Sequence, residues 1–367
     1  MKIACEKNLL TKALSMTEKI VGINPTLPVL SCVLLRTRKN SLLIQATNLE
    51  LGIEVVVPAK SNEDGVLAVP GVIFSNTIQN THDSSIELEM EKDALVIQTK
   101  HSRTLLKTHP HDDFPSLPVV QGGSIHTLKS NDIVEGIQSV GYSASRSHIK
   151  PELSSVYVYE RDKKLYFVAT DSFRLAEKVI HTKQKNTLEA PFLLPLRNAL
   201  EIVRILSQLP DSDVIVKVGD NQISFECGDV FITSRIIDGT FPDYRQIIPK
   251  DHISEVTALK QDLLNVFKKI NIFSDKFGQV SVLVEPKKKS FVLSAQSGSI
   301  GETRDAIDAI IKGESVDMRF NYRYIYDCLS SIHSDSINLL FTGIGKPLII
   351  KGVSDESFLY IVMPMNK

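Results

Sequence analysis

The 367 residues exceed what one core usually fills, so two or three domains are expected. With 43% hydrophobic and 23% charged residues this reads as a soluble globular chain, and a net charge of −1 excludes a uniformly basic one, so a nucleic-acid surface would need charge sorted onto one face. No run approaches the roughly 18 uncharged apolar residues of a membrane helix. The start, MKIACEKNLL, lacks the apolar centre of a secretory leader. Cys5, Cys32, Cys227 and Cys328 are far apart and read as buried thiols of a reducing, cytoplasmic compartment.

Along the chain, residues 6–20 place Leu9, Leu10, Ala13, Leu14 and Ile20 at helical spacing. Pro25 and Pro28 bracket the turn that follows. Residues 31–37, 41–46 and 49–57 read as strands, the last stopping before Pro58, and 66–69 as a short one. Pro70 opens a helical stretch to about residue 80, as Pro195 opens LRNALEIVRILSQL further on. Strands follow near 84–90, 93–99 and 102–108. A helix near 129–141 precedes strands near 153–160, 164–170 and 173–180, and the stretch 195–208 precedes strands at 214–218, 222–227 and 230–237. The last third holds helices at 260–272 and 320–332 and strands near 336–341, 347–353 and 358–363.

One stretch occurs in three versions. LYFVATDSFRLAEKV (165–179) alternates, breaks at Asp171-Ser172 and alternates again; LLIQATNLELGIEV (42–55) and FVLSAQSGSIGET (291–303) do the same. Ala46, Ala169 and Ala295 match at spacings of 123 and 126 residues, the size of a domain rather than a solenoid repeat. Three copies are therefore expected, at 1–120, 124–250 and 251–367, each of two halves with one helix and three or four strands. Six helices and roughly two dozen strands suit an α+β fold with helices on one face of antiparallel sheets. Phe114-Pro115 and Phe241-Pro242 also match, in segments that link the copies, where plain packing explains them equally well.

Catalytic signatures are missing. Gly343-Ile344-Gly345-Lys346 has the wrong spacing for a phosphate loop, and HExxH, GxSxG and dinucleotide fingerprints are absent. His109-Pro110-His111-Asp112-Asp113 offers metal-binding side chains but reads as a solvated turn. Asp171 corresponds to Asn48 and Ser297 in the other copies, which fits turn chemistry better than catalysis. No metal or cofactor is expected. The six helical stretches carry ten Lys/Arg against seven Asp/Glu. A solvated face explains that bias, but if the copies close with helices inward it becomes a positive lining that attracts phosphates without reading bases.

ATDSFRLA at 169–176, DGTFPDYRQIIP at 238–249, VMPM at 362–365 and PTLPVL at 25–30, in this order, resemble the bacterial DNA polymerase III beta subunit family, the sliding clamps. The resemblance covers essentially the whole chain. It implies three tandem domains of the clamp fold, with helices inside and antiparallel sheets outside, and two chains closed head to tail around duplex DNA. It implies no bond chemistry, only a tether that holds the replicative polymerase on its template. Expected partners are double-stranded DNA, a second copy as homodimer, the polymerase alpha subunit, the clamp-loader complex and other proteins with a clamp-binding motif; no membrane is involved. The alternatives are a ring-forming or filamentous interaction scaffold without DNA, and an enzyme in the 170–175 and 242–247 groove, for which no acid–base pair is evident.

Carried over residue by residue, the family's partner pocket comprises Leu153, Thr170, Ser172, Phe173, Arg174, Leu175, Pro242, Gln246, Ile247, Ile361, Val362, Met363, Pro364 and Met365. Ile361 is expected to pack inward, with Met363 and Met365 partly facing the groove. Ser172-Phe173, Gln246 and Asn366 depart from the common pattern and bear on peptide preference. Expected DNA-facing residues are Lys12, Lys19, Asn24, Arg197, Arg204, Lys268 and Arg323, with Asn24 in place of a common basic residue. Thr104 and Leu106 are expected to meet Ile272 and Phe273 across the subunit interface.

Overall fold

A computed structural model describes residues 1–22, 26–120, 122–181, 188 and 190–365. These contain six α-helices and 25 strands, and every strand pair is antiparallel.

In chain order the first half-copy is β1 (Lys2–Glu6), α1 (Lys7–Thr17), β2 (Cys32–Arg38), β3 (Ser41–Thr47) and β4 (Leu51–Glu63). The second is β5 (Val66–Pro70), α2 (Gly71–Gln79), β6 (Ser85–Glu91), β7 (Ala94–Gln98) and β8 (Arg103–Lys107). The third is β9 (Ser124–Lys129), α3 (Ser130–Val140), β10 (Ser155–Arg161), β11 (Lys164–Thr170) and β12 (Arg174–His181). The fourth is β13 (Phe192–Pro195), α4 (Leu196–Leu206), β14 (Asp213–Val218), β15 (Gln222–Cys227) and β16 (Val230–Arg235). The fifth is β17 (Ser254–Leu259), α5 (Lys260–Phe273), β18 (Gln279–Glu285), β19 (Ser290–Ser297), β20 (Gly301–Ala306) and β21 (Ala309–Gly313). The sixth is β22 (Val316–Asn321), α6 (Tyr322–Leu329), β23 (Ser336–Phe341), β24 (Leu348–Gly352) and β25 (Phe358–Val362).

Each half therefore opens with a strand that runs straight into its helix, and Pro70 and Pro195 are the last strand residues rather than the first helical ones. That opening strand always joins the other half of its own copy. In the first copy β1 pairs with β6 and β5 with β2. In the second β9 pairs with β14 and β13 with β10, and in the third β17 pairs with β23 and β22 with β18. The threefold repeat is thus a repeat of strand exchange as well as of sequence.

The strand at 49–57 does not stop at Pro58. β4 runs 13 residues to Glu63, pairing with β16 up to Val55 and with β1 from Ala59 on. Pro58 lies where one neighbour hands over to the other, so its missing N–H leaves no ladder bond open.

The chain forms two compact units. The first, Met1–Asn131 with Gln184–Leu188 and Glu201–Ile236, holds a 12-stranded sheet in which β4 joins β16. The second, Asp132–Lys183 with Glu189–Leu200 and Ile237–Lys367, holds a nine-stranded sheet in which β12 joins β25, and a separate sheet ordered β20-β19-β18-β22. Sheet continuity, not chain order, divides the second copy between them.

Helices cover one sheet face. α1 buries Leu10, Ala13, Leu14 and Met16 and packs beside α2; α5 buries Leu263, Val266, Phe267 and Ile270 and packs beside α6. Each of the larger side chains contributes about 2 kcal/mol by leaving water, and Ala13 less than half of that. Phe241 is buried with Leu193, Leu340 and Ile361, its ring stacked on Tyr157 at 4.7 Å, and Phe114 packs on Val29, Cys32, Leu34 and Ala68. The two phenylalanines of the Phe-Pro pairs are therefore packing anchors. All four cysteines are free and buried, and burial pushes the Cys5 thiol up to about 12. Among the described residues no helix is long and apolar enough to cross a membrane.

Candidate functional site

Thr170 to Arg174 makes a self-contained turn between β11 and β12. Thr170 Oγ1 donates to the Arg174 carbonyl at 2.7 Å, and Asp171 Oδ1 accepts the N–H groups of Phe173 and Arg174 at 2.9 Å each. Ser172 sits at φ 76°. The first copy builds the same turn from Thr47, Asn48 and Leu51: Asn48 Oδ1 accepts from Glu50 and Leu51, and Leu49 also has φ 76°. Asp171 is thus an Asx-turn residue, as its match with Asn48 indicates. The third copy differs: Ser297 pairs with Gly301 across three residues, one fewer than between Thr170 and Leu175 or Thr47 and Gly52.

The turn is fixed through Arg174. Its Nε donates to Asp171 Oδ2 at 3.1 Å and its Nη1 to Asp327 Oδ2 on α6 at 2.9 Å, and its guanidinium lies 4.4 Å from the Tyr324 ring centre. Phe173, 60% exposed, stands free above this base. The chain end runs alongside: the Met363 N–H donates to the Phe173 carbonyl at 2.8 Å, and the Met365 N–H to the Arg319 carbonyl at 2.8 Å.

Residues 241–248 are held by a directed relay. Arg245 Nη2 donates to the Tyr159 hydroxyl at 2.6 Å, that hydroxyl to Tyr244 at 2.6 Å, and Tyr244 to the Glu177 carboxylate on β12. Burial pushes the Glu177 carboxyl up, and the bond from Tyr244 offsets only part of that. The relay leaves Pro242, Gln246 and Ile247 on the exposed side.

The fourteen residues expected in the pocket therefore separate. Ser172, Phe173, Pro242, Gln246, Ile247 and Met363 are exposed; Arg174, Pro364 and Met365 are half-buried. Leu153, Thr170, Leu175, Ile361 and Val362 are buried, with Val362 at 0% and Leu175 at 1% exposure. Ile361 packs inward as expected, in one cluster with Leu175 and Phe241, and Met363 is 38% exposed. Val362, paired with Arg174 on one side and Leu348 on the other, belongs to the sheet core.

The basic helix residues also separate. Lys12, Lys19, Arg197 and Lys268 are exposed and have no ion pair among the described residues. Arg323 is exposed, its Nε donating to the Tyr322 hydroxyl. Arg204 is a correction. Its Nε bonds Glu201, and its Nη1 and Nη2 donate to the carbonyls of Ser15 and Met16 at 2.7 and 2.8 Å. It closes the C-terminal end of α1, with three of its five N–H donors engaged within the chain. Asn24 and Asn366 lie outside the described residues.

Among the described residues β8 pairs only with β7, and β20 only with β19, so each has an open edge. Thr104 is exposed and Leu106 half-buried on β8; Ile272 is 58% exposed at the end of α5, and the Phe273 ring approaches Gly301 at the start of β20. Among the described residues no cluster of three metal-binding side chains occurs.

Models of the three domains of the DNA polymerase III beta subunit match residues 1–118, 127–243 and 245–366, in the order N-terminal, central, C-terminal. The chain belongs to the DNA polymerase III beta subunit family. The beta sliding clamp of Proteus mirabilis is 28% identical over 370 residues, covering 100% of both chains. That of Escherichia coli K12 is 27% identical over 369 residues, again covering 100% of both. The crystal structure of the Thermotoga maritima beta subunit matches at TM-score 0.93 and 26% identity, covering 100% of this chain and 99% of that one.

For a beta-subunit chain the sequence reading missed three things. Asp327 as partner of Arg174 lies 153 residues away and has no local signal. The Tyr159–Tyr244–Glu177 relay falls partly in the quoted DGTFPDYRQIIP, where the tyrosine was visible but its partner was not. The strands β1, β9, β13, β17 and β22 run into their helices with no loop between.

Proposed function

We infer that this chain is a DNA sliding clamp, a non-catalytic processivity subunit that encircles duplex DNA and tethers the replicative polymerase. Family membership supports the activity, and the pattern of open strand edges supports the ring. The third strand after the helix of an odd half-copy joins the third strand after the helix of the next copy's even half: β4 joins β16, and β12 joins β25. Continuing that rule, β20 would join the β8 of another chain, and these are two edges left open. A head-to-tail contact of this kind closes when two chains meet at both ends. Thr104 and Leu106 on one side and Ile272 and Phe273 on the other would fill it, and pairing would hide edges that otherwise invite aggregation.

In this reading the clamp domains are 1–120, 124–250 and 251–367, in the cytoplasm. Lys12, Lys19, Arg197, Lys268 and Arg323 meet DNA phosphates without reading bases. The surface of Ser172, Phe173, Arg174, Pro242, Gln246, Ile247, Met363, Pro364 and Met365 docks short peptides with apolar anchors, from the polymerase alpha subunit, the clamp loader and other clamp-binding proteins. Micromolar affinity, about −8 kcal/mol, is expected.

The test is to load the protein onto nicked circular DNA with a clamp-loader ATPase and then cut the circle. A clamp stays through high salt and leaves on linearisation. Retention on free ends would make it an adhesive binder, and oligomers that never retain DNA would make it a scaffold.

A further inference from the structure

The face of the β20-β19-β18-β22 sheet turned away from α5 and α6 carries a row of unengaged donors. Register places Arg319 opposite Ser281, Ser281 opposite Ser294, and Ser294 opposite Arg304. Four residues on four adjacent strands therefore share one face and one line, with the two short side chains in the middle and an arginine at each end. They line a concavity of about 310 Å³ together with Gln279, Gln296 and Glu302. Three strand spacings set the arginines roughly 14 Å apart at the backbone, so the guanidiniums flank a floor of two hydroxyls. Among the described residues neither guanidinium has an ion pair, and neither serine hydroxyl has a hydrogen-bond partner.

Two planar guanidinium forks flanking two hydroxyl donors suit a planar oxyanion. Glu302 in the next row leaves a net charge of one, which matches a single carboxylate better than a dianion. The position matters as much as the chemistry. Met365, part of the proposed docking surface, donates its N–H to the carbonyl of Arg319. The trough therefore begins at the strand on which that surface ends. We propose that the Arg319–Ser281–Ser294–Arg304 row is a carboxylate subsite that seats an acidic side chain flanking the apolar anchors of a docked partner peptide. This rests on the docking reading above and adds a charge preference to it.

The experiment titrates the full-length protein with an apolar-anchor peptide, bare and extended by two glutamates at either end, at low and high salt. Expected is about tenfold tighter binding for one extended peptide at low salt, lost at high salt and lost in R304Q/R319Q, while the bare peptide binds both proteins alike. A gain below twofold for both extensions, or a gain that survives in R304Q/R319Q, overturns the subsite and leaves the docking surface standing. If the bare peptide does not bind, the docking surface falls instead. The subsite is then read from the Arg304 and Arg319 Nε–Hε resonances with a Glu-Glu dipeptide: shifts in both support it, and no shift overturns it. Displacement of the glutamates by equimolar inorganic phosphate would overturn the carboxylate assignment.

Discussion

Asp327 on α6 holds the guanidinium of Arg174 from 2.9 Å, and through it a helix near the chain's end fixes a turn built 153 residues earlier. The arginine side chain is 10% exposed, Asp171 15% and Asp327 37%. Removing the arginine leaves Asp171 buried without a counter-charge, though still accepting two backbone N–H groups. Arg174→Ala is expected to cost about 2 kcal/mol in urea unfolding, below the range for a fully buried pair because Asp327 is reached by water. Asp327→Asn keeps an acceptor and should cost less than about 1 kcal/mol. Equal losses for the two would show that Asp327, not Asp171, carries the pair.

Ring closure makes a separable prediction. Ile272→Ala with Phe273→Asp places a charge beside β20 where an apolar contact with Leu106 is proposed. Sedimentation should show monomers with unchanged circular dichroism, because Ile272 is more than half exposed and contributes little to its own core. A dimer that survives this double change would place the contact elsewhere.

Glu177 gives a pH dependence with a definite sign. Burial raises its carboxyl above the ordinary value of 4.5, with the Tyr244 bond opposing. The folded state therefore binds this proton more tightly than the unfolded chain. Its stabilising contribution is fully present below 4.5 and is lost as pH rises through the higher folded value. Glu177→Gln keeps an acceptor for Tyr244 and removes the titration. The variant should gain stability relative to the parent as pH rises from 4.5 to 7 in urea unfolding. A difference between the two proteins that does not change across that range would place the carboxyl at its ordinary value.

What the sequence discloses is what local chemistry writes. The turns at Asn48 and Asp171 are legible because an Asx side chain and the two N–H groups that donate to it lie within three residues. The helices are legible because spacings such as Leu263, Val266, Phe267 and Ile270 need only periodicity. Pairing across the sheet is not written locally. Nothing near Arg319 points to Arg304, and nothing near Pro58 tells that β4 changes partner there. Val362 followed the family pattern into the pocket, yet its burial depends on two neighbouring strands. Arg204 shows the same limit, since an arginine at the end of an amphipathic helix looks alike whether it meets water, phosphate or another helix.

That ambiguity is open to measurement. The Arg204 fork donates to the carbonyls of Ser15 and Met16, which are among the last four of α1 and have no intrahelical donor. Arg204→Ala would leave both carbonyls without this partner, and the loss is expected to be about 1.5–3 kcal/mol, the range for hydrogen bonds to a charged group. Lys12 and Lys268 stand free in solvent, and replacing either with Ala should change stability by less than about 0.5 kcal/mol. DNA should order the three variants the other way. Each lysine removed from a phosphate contact lowers the slope of log affinity against log salt by about 1, whereas Arg204→Ala leaves the slope unchanged. A reduced salt slope with unchanged stability for Arg204→Ala would return that residue to the DNA-facing set.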